Sequence, residues 1–174
     1  MHIRMTLFAV TAGLALVAGH GNAYADDKAA AAVASDENGK YADKEGNPTF
    51  KIQEDGTVDW YTYSGFRRFN SDCFVCHGAD GAGSSFAPAL AESLKTMSYA
   101  DFLSIVAEGR KNLKNGNDKV MPAFGNNKNV YCYMDDLYVY LRARAVGDLP
   151  RGRPAKHEDK PPAAKEAEAS CMGG

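Results

Sequence analysis

A second closely spaced pair of cysteines is missing from this chain. Four cysteines occur in 174 residues, and only Cys73 and Cys76 stand near each other; Cys132 and Cys171 are far apart. A zinc ribbon needs two such pairs, so a structural zinc site lacks its other ligands. No alternation of strand and helix patterns surrounds Cys73, which removes the setting of a thioredoxin-type exchange pair. No apolar run reaches the ~20 residues that a membrane-spanning helix needs. Excess positive charge is also absent: 20 basic side chains face 22 acidic ones, a balance that argues against a nucleic-acid partner. No internal repeat is visible.

The chain begins as an exported protein does. His2 and Arg4 give a short positive end, Thr6 to Ala18 form an apolar run, and Ala23-Tyr24-Ala25 is a small-x-small cleavage site before Asp26. No cysteine follows the run to carry a lipid. Residues 1–25 are therefore expected to be a cleaved signal peptide, leaving 149 residues (174 less 25), enough for one domain with a core. Without Arg4 the balance is 19 basic to 22 acidic, a net charge of −3. The mature protein is expected in the periplasm, without a membrane anchor and as a monomer, in an oxidising compartment that permits disulfides.

Residues 26–46 are rich in Ala, Asp, Lys and Glu, and are expected to be flexible or loosely held. A domain is expected over 47–149. Thr49 to Gln53 and Thr57 to Tyr61 flank Glu54-Asp55-Gly56, a pattern for a short hairpin. Ser64 is placed to cap a helix through Asp72, with Gly65 and Phe69 on one face. Ser98 and Asp101 form a capping-box pattern ahead of Phe102, Ile105 and Val106, and that helix should end near Gly109. Lys111 to Lys119 is polar and loop-like. A last helix is expected from Asn129 or Val130 to Val146, burying Leu137, Tyr140 and Leu141. Residues 150–174 return to Pro, Ala, Lys and Glu, and should be disordered except where something ties them down.

The chemistry lies in Cys73-Phe74-Val75-Cys76-His77. Cys-x-x-Cys-His is the pattern of covalent haem attachment, in which two thiols form thioethers and the adjacent imidazole meets the iron. The second axial position decides what such an iron does, because a thioether closes the site and raises its potential. Met121 fits that role: it lies 44 residues after His77 (121 less 77), follows a helix and precedes Pro122, which restricts the backbone. Met97, Met134 and Met172 lack this loop context. Trp60, Tyr99 and Arg110 are candidate propionate partners, and the sequence does not choose among them. The pattern implies an all-α fold of three to five helices around one haem, with a possible short N-terminal β-hairpin.

At this point the chain resembles the class I c-type cytochromes. Gly65, Phe69 and Cys73 match the Gly-x-x-x-Phe-x-x-x-Cys of the family's first helix, Pro88 and Leu90 its Pro-x-Leu, Met121 its sixth ligand, and Leu137 and Tyr140 its last helix. A narrower resemblance rests on Val58 to Phe69, on Tyr131 to Leu141 and on the four cysteines. These look like the methanol-metabolism-related c-type cytochromes. That resemblance implies a periplasmic electron-transfer protein, not an enzyme, carrying haem c, with a role like that of cytochrome c-L. The implied donor is a pyrroloquinoline-quinone methanol or alcohol dehydrogenase, and the implied acceptor a downstream cytochrome c or terminal oxidase.

Cys132 and Cys171 remain after haem attachment. In a reducing cell they would be free thiols, whereas in the periplasm a mutual disulfide is expected, worth about 4 kcal/mol for such a loop. Two other functions stay open. One is a general shuttle without a dedicated dehydrogenase. The other is a five-coordinate haem enzyme or sensor, for which the mature haem unit supplies no second histidine, since His20 is cleaved away and His157 lies in the tail.

Overall fold

The computed structural model describes residues 32–113 and 119–173. The expected signal peptide and Lys114 lie outside the described residues. Among the described residues, four helices of ten residues or more carry the architecture: α1 (Trp60–Asp72), α4 (Tyr99–Glu108), α6 (Met134–Val146) and α7 (Pro162–Met172). Single turns α2 (Phe74–His77), α3 (Leu90–Ser93) and α5 (Lys128–Tyr131) connect them. The fold is mostly helical.

α1 starts earlier than the sequence reading had it. Asp59, and not Ser64, is the N-cap: its carboxylate accepts the Thr62 N–H at 2.9 Å and the Lys51 N–H at 2.8 Å. A buried side chain that satisfies two backbone donors fixes the helix start more firmly than propensity does. Ser64 instead lies buried on α1, facing Asp136 of α6.

α1 and α6 cross at Gly65. A Cβ built there would stand 1.8 Å from the Asp136 carbonyl oxygen and 2.7 Å from the Tyr140 Cβ, so only glycine permits this approach. Phe66 and Phe69 close around Tyr140, with ring centroids 5.8 and 5.6 Å away. Phe69, Leu137, Tyr140 and Leu141 are fully buried there, forming the middle of the core.

Short strands frame the helices. Ile52 and Val58 bridge antiparallel around the Glu54-Asp55-Gly56 turn, while Trp60 and Tyr61 belong to α1 and not to a strand. Part of the segment expected to be loose is ordered as a three-stranded antiparallel meander, β1 (Ala34–Ser35), β2 (Tyr41–Ala42) and β3 (Pro48–Thr49). Its turns are built on Asp36 and Asp43, whose side chains accept backbone N–H groups of Asn38, Lys40, Glu45 and Asn47. A second hairpin, β4 (Arg110–Asn112) with β5 (Lys119–Met121), occupies ground read as loop. β4 is polar and exposed throughout and β5 is only three residues long, so no hydrophobic alternation announced the pair.

The expected last helix is two, broken at Cys132 and Tyr133 between α5 and α6. The tail is also structured. His157 pairs with Val58 and stacks on Tyr63 at 3.7 Å between ring centroids, and Arg153 donates to the Tyr63 hydroxyl at 2.7 Å. α7 then buries Ala164 and brings Cys171 to Cys132, where a disulfide joins them with Cα atoms 5.8 Å apart.

Candidate haem site

α1 ends at Asp72, and Cys73 accepts the N–H groups of Cys76 and His77, so the motif folds as one tight turn continuing the helix. His77 is buried, and its Nδ1 lies 3.0 Å from the Pro88 carbonyl oxygen. A carbonyl only accepts, so Nδ1 carries the proton and Nε2 keeps its lone pair. The Gly83 N–H donates back to the His77 carbonyl at 2.7 Å, closing the loop that presents Pro88.

Cys73, His77 and Met121 line one crevice together with Leu90, Leu94, Met97, Phe102, Ile105, Val106, Phe124, Val130 and Leu137. It encloses about 490 Å³, part of it open to solvent. Among the described residues, the lining side chains other than Cys73 and His77 are apolar and none is a second acid or base, so the crevice suits a flat, largely apolar macrocycle. Met97 is an addition that the sequence reading did not place here. Leu94, fully buried at the end of α3, and the backbone bond from the Met97 N–H to the Ser93 carbonyl carry it in.

Met121 reaches the crevice on β5, where it pairs with Arg110. Gly109 makes this possible. It has φ +74°, and a Cβ there would lie 2.6 Å from the Met121 carbonyl oxygen. Beyond Pro122 the Phe124 and Gly125 N–H groups donate to the Val106 and Ala107 carbonyls, each at 3.0 Å, stitching the segment to the end of α4.

Burial pushes the Cys73 thiol up to about 12, helped by the nearby Asp72 charge. That is the opposite of the lowered thiolate a disulfide-exchange nucleophile needs. Among the described residues no group of three or more His, Cys, Asp and Glu could hold a metal ion by themselves. Cys73 and Cys76 are the free cysteines. The Cys73 thiol, an oriented imidazole and a thioether around one apolar crevice, with the exposed Cys76 one turn after Cys73, fit a covalently held haem.

Of the candidate propionate partners, Tyr99 donates to Asp135, and Trp60 packs beside Tyr63 and His157 under the tail. Neither lines the crevice. Arg110 stands exposed beside Met121. Met134 is buried in the core, and the Met172 carbonyl receives the Lys128 ammonium.

Residues 62–141 match the family described as cytochrome C oxidase, cbb3-type, subunit III. Cytochrome c-553I of Paracoccus denitrificans is 56% identical over 138 residues, which is 79% of this chain and 61% of that protein, so the match leaves more than a third of the relative's length uncovered. Cytochrome c-555 of Methylococcus capsulatus is 41% identical over 96 residues, 55% of this chain and 72% of that one. The crystal structure of c-type cytochrome XoxG from Methylobacterium extorquens AM1 superposes with a TM-score of 0.76 at 58% identity, covering 83% of this chain and 87% of that chain. With the haem motif, the buried imidazole and the apolar crevice, these likenesses place the chain among the class I c-type cytochromes, in the methanol-metabolism-related family, with haem c as its cofactor.

Proposed function

We propose that this chain is a periplasmic monohaem carrier that takes single electrons from a pyrroloquinoline-quinone methanol or alcohol dehydrogenase. It passes them to a downstream cytochrome c or terminal oxidase. The observation that carries this reading is the apolar crevice that Cys73, His77 and Met121 share. Cys73 and Cys76 would hold the haem through thioethers, and His77 through Nε2 and Met121 through sulfur would bind its iron. The bound haem supplies a one-electron ferric/ferrous couple. The chain's own part is to keep both axial groups in place in either state. The Pro88 carbonyl fixes the imidazole, and the Gly109, Val106 and Ala107 backbone fixes the thioether loop. The apolar walls exclude water.

The dehydrogenase assignment rests on the two long sequence runs of the family resemblance. A docking face fits it. Val75 between the cysteines, Phe86 in the loop after His77 and Val120 beside Met121 are 81%, 73% and 61% exposed. Lys119 donates to the Ser85 carbonyl at 3.0 Å, joining that loop to β5, and exposed Arg110 and Lys111 stand on the paired strand. An apolar patch with a basic margin suits a partner with an acidic rim.

The test is reduction of ferric protein by a purified quinoprotein methanol dehydrogenase with methanol, followed at the ferrous absorption bands. Two equivalents of cytochrome should be reduced per methanol, with saturation in cytochrome. A rate no greater than that of an unrelated periplasmic cytochrome would return the general-shuttle reading.

A further inference from the structure

The electron-carrier reading gives the ordered tail no task. Met121, Phe124 and Val130 all line the crevice. Between them the backbone is one hydrogen-bonded piece: the Asn127 N–H donates to the Phe124 carbonyl, and the Val130 and Tyr131 N–H groups donate to the Asn127 carbonyl. The axial-methionine segment therefore runs directly into α5. At the far end of α5, Cys132 is bonded to Cys171 of α7. At the near end, the Lys128 ammonium donates to the Met172 carbonyl at 3.1 Å. The last turn of α7, at Cys171 and Met172, is thus fastened to both ends of α5, the turn that follows the segment carrying Met121.

We propose that the Cys132–Cys171 disulfide is a redox-sensitive clamp on the sixth-ligand loop, whose reduction opens the iron to small exogenous ligands. The clamp rests on the reading that Met121 is an axial ligand. With the bond intact, α7 holds α5, α5 holds Val130 in the wall, and the loop between keeps Met121 seated. A dithiol delivers two electrons and two protons to the sulfur–sulfur bond, leaving two thiols, and closes to its own disulfide. Among the described residues, α7 then keeps the Lys128 contact, the hydrogen bond between Glu168 and Tyr133 beside Cys132, and packing. The loop keeps its bonds to Val106 and Ala107, so the protein stays folded while the thioether leaves more often. Reduction converts a closed electron carrier into a haem protein that binds ligands.

The test compares ferric holoprotein with the Cys132→Ser/Cys171→Ser variant by titration with imidazole, which competes with the thioether. Affinity for imidazole should rise roughly tenfold, within the about 5- to 150-fold span of coupled sites. Amides of residues 124–131 should exchange hydrogen faster, with α1 unchanged. Should the variant fail to accumulate, unmutated protein with its iron already reduced by dithionite is mixed with carbon monoxide, with and without dithiothreitol. Faster binding after dithiothreitol, with both thiols alkylatable, supports the clamp. Unchanged imidazole affinity, or unchanged carbon monoxide binding once the thiols are shown free, overturns it. The two readings fail differently. If unmutated protein and Met121→Ala bind imidazole alike, the Met121 assignment falls and takes the clamp with it. If Met121→Ala opens the site and loss of the disulfide does not, only the clamp falls.

Discussion

The two sides of the crevice are built in opposite ways. The His77 side is local: Cys73 through Pro88 make one continuous stretch, with the imidazole buried and bonded to Pro88, and α1 leading into it is locked against α6 at Gly65. The Met121 side is assembled from distant pieces. It needs the end of α4, an exposed two-stranded hairpin, α5 and a disulfide to a tail helix. A side held by short-range bonds has few ways to move. A side held by four separate elements can be loosened at any of them, and it is the side whose proposed ligand bond is the weaker one.

The largest effects should come from removing the ligands themselves. In His77→Ala the low-spin haem spectrum should disappear, and most of the covalently bound haem with it, judged by the pyridine haemochrome assay on purified protein. Met121→Ala should keep its haem and lose only the weak far-red sulfur-to-iron band. Met97→Leu, altering the other methionine in the crevice, should keep that band. A band that survives Met121→Ala and vanishes in Met97→Leu would move the ligand to Met97.

Two glycines separate the sides at the next level. Gly65→Ala drives a Cβ into the Asp136 backbone and should cost about 3 kcal/mol of global stability in urea, the upper end for overpacking. Gly109→Ala places a Cβ at φ +74° against the Met121 carbonyl and should cost less, about 1–2 kcal/mol. Its distinguishing mark is that the far-red band is lost at lower urea than the helical signal. Coincident loss of both signals in Gly109→Ala would mean that the Met121 side does not open on its own.

Asp136 tests the framework behind the His77 side. Burial pushes its carboxyl up to about 7, against the Ser64 hydrogen bond and the Lys40 charge, which favour the ionised form; Asp135 and Asp59 add to the rise. An acid whose pKa is higher folded than unfolded binds more protons in the folded state between about pH 4 and 7. Stability from this group therefore falls as pH rises through that window and is unaffected below it. The difference in unfolding free energy between unmutated protein and Asp136→Asn should change by about 1–2 kcal/mol across it, less than the full shift because burial relaxes. A parallel pair of stability curves would show that Asp136 is ionised throughout.

How much of this was legible in the sequence follows the same division. The His77 side was readable because its signals are close together: Cys-x-x-Cys-His, Pro88 and the Gly65–Phe69 spacing all sit within one stretch. The α4 helix was readable from Ser98, which caps it as its hydroxyl accepts the Asp101 N–H. The β4–β5 hairpin was not, because Arg110, Lys111, Asn112 and Lys119 carry no strand pattern and the pairing depends on where α4 ends. The break between α5 and α6 was not legible because no glycine or proline marks it. The tail helix left a signal that was passed over. Pro162 at the first helical turn followed by Ala, Lys and Glu favours helix, and composition alone reads the same residues as disorder. Asp59 was a missed cap for a related reason, since its two backbone partners lie on different elements.

The smallest effect concerns the face the two sides share. Arg110 and Lys111 on β4 are exposed next to Met121, while Phe86 is exposed on the loop from His77. Charge acts at a distance and apolar contact only on touching, so the two can be separated by salt. In Arg110→Glu/Lys111→Glu the bimolecular rate of reduction by the dehydrogenase should fall several-fold at low ionic strength. It should converge on the unmutated rate as the screening length drops from about 10 Å at 0.1 M to about 3 Å at 1 M. Electron transfer within the preformed complex should not change. Phe86→Ser should instead weaken the complex equally at every salt concentration, because it removes buried apolar area and no charge. The chain's formal net charge of −2 opposes attraction to an acidic partner as a whole, so steering has to come from the local basic margin. A rate that ignores both the charge reversals and ionic strength, yet falls in Phe86→Ser, would assign recognition to the apolar patch, and with it more to the His77 side of the crevice than to the Met121 side.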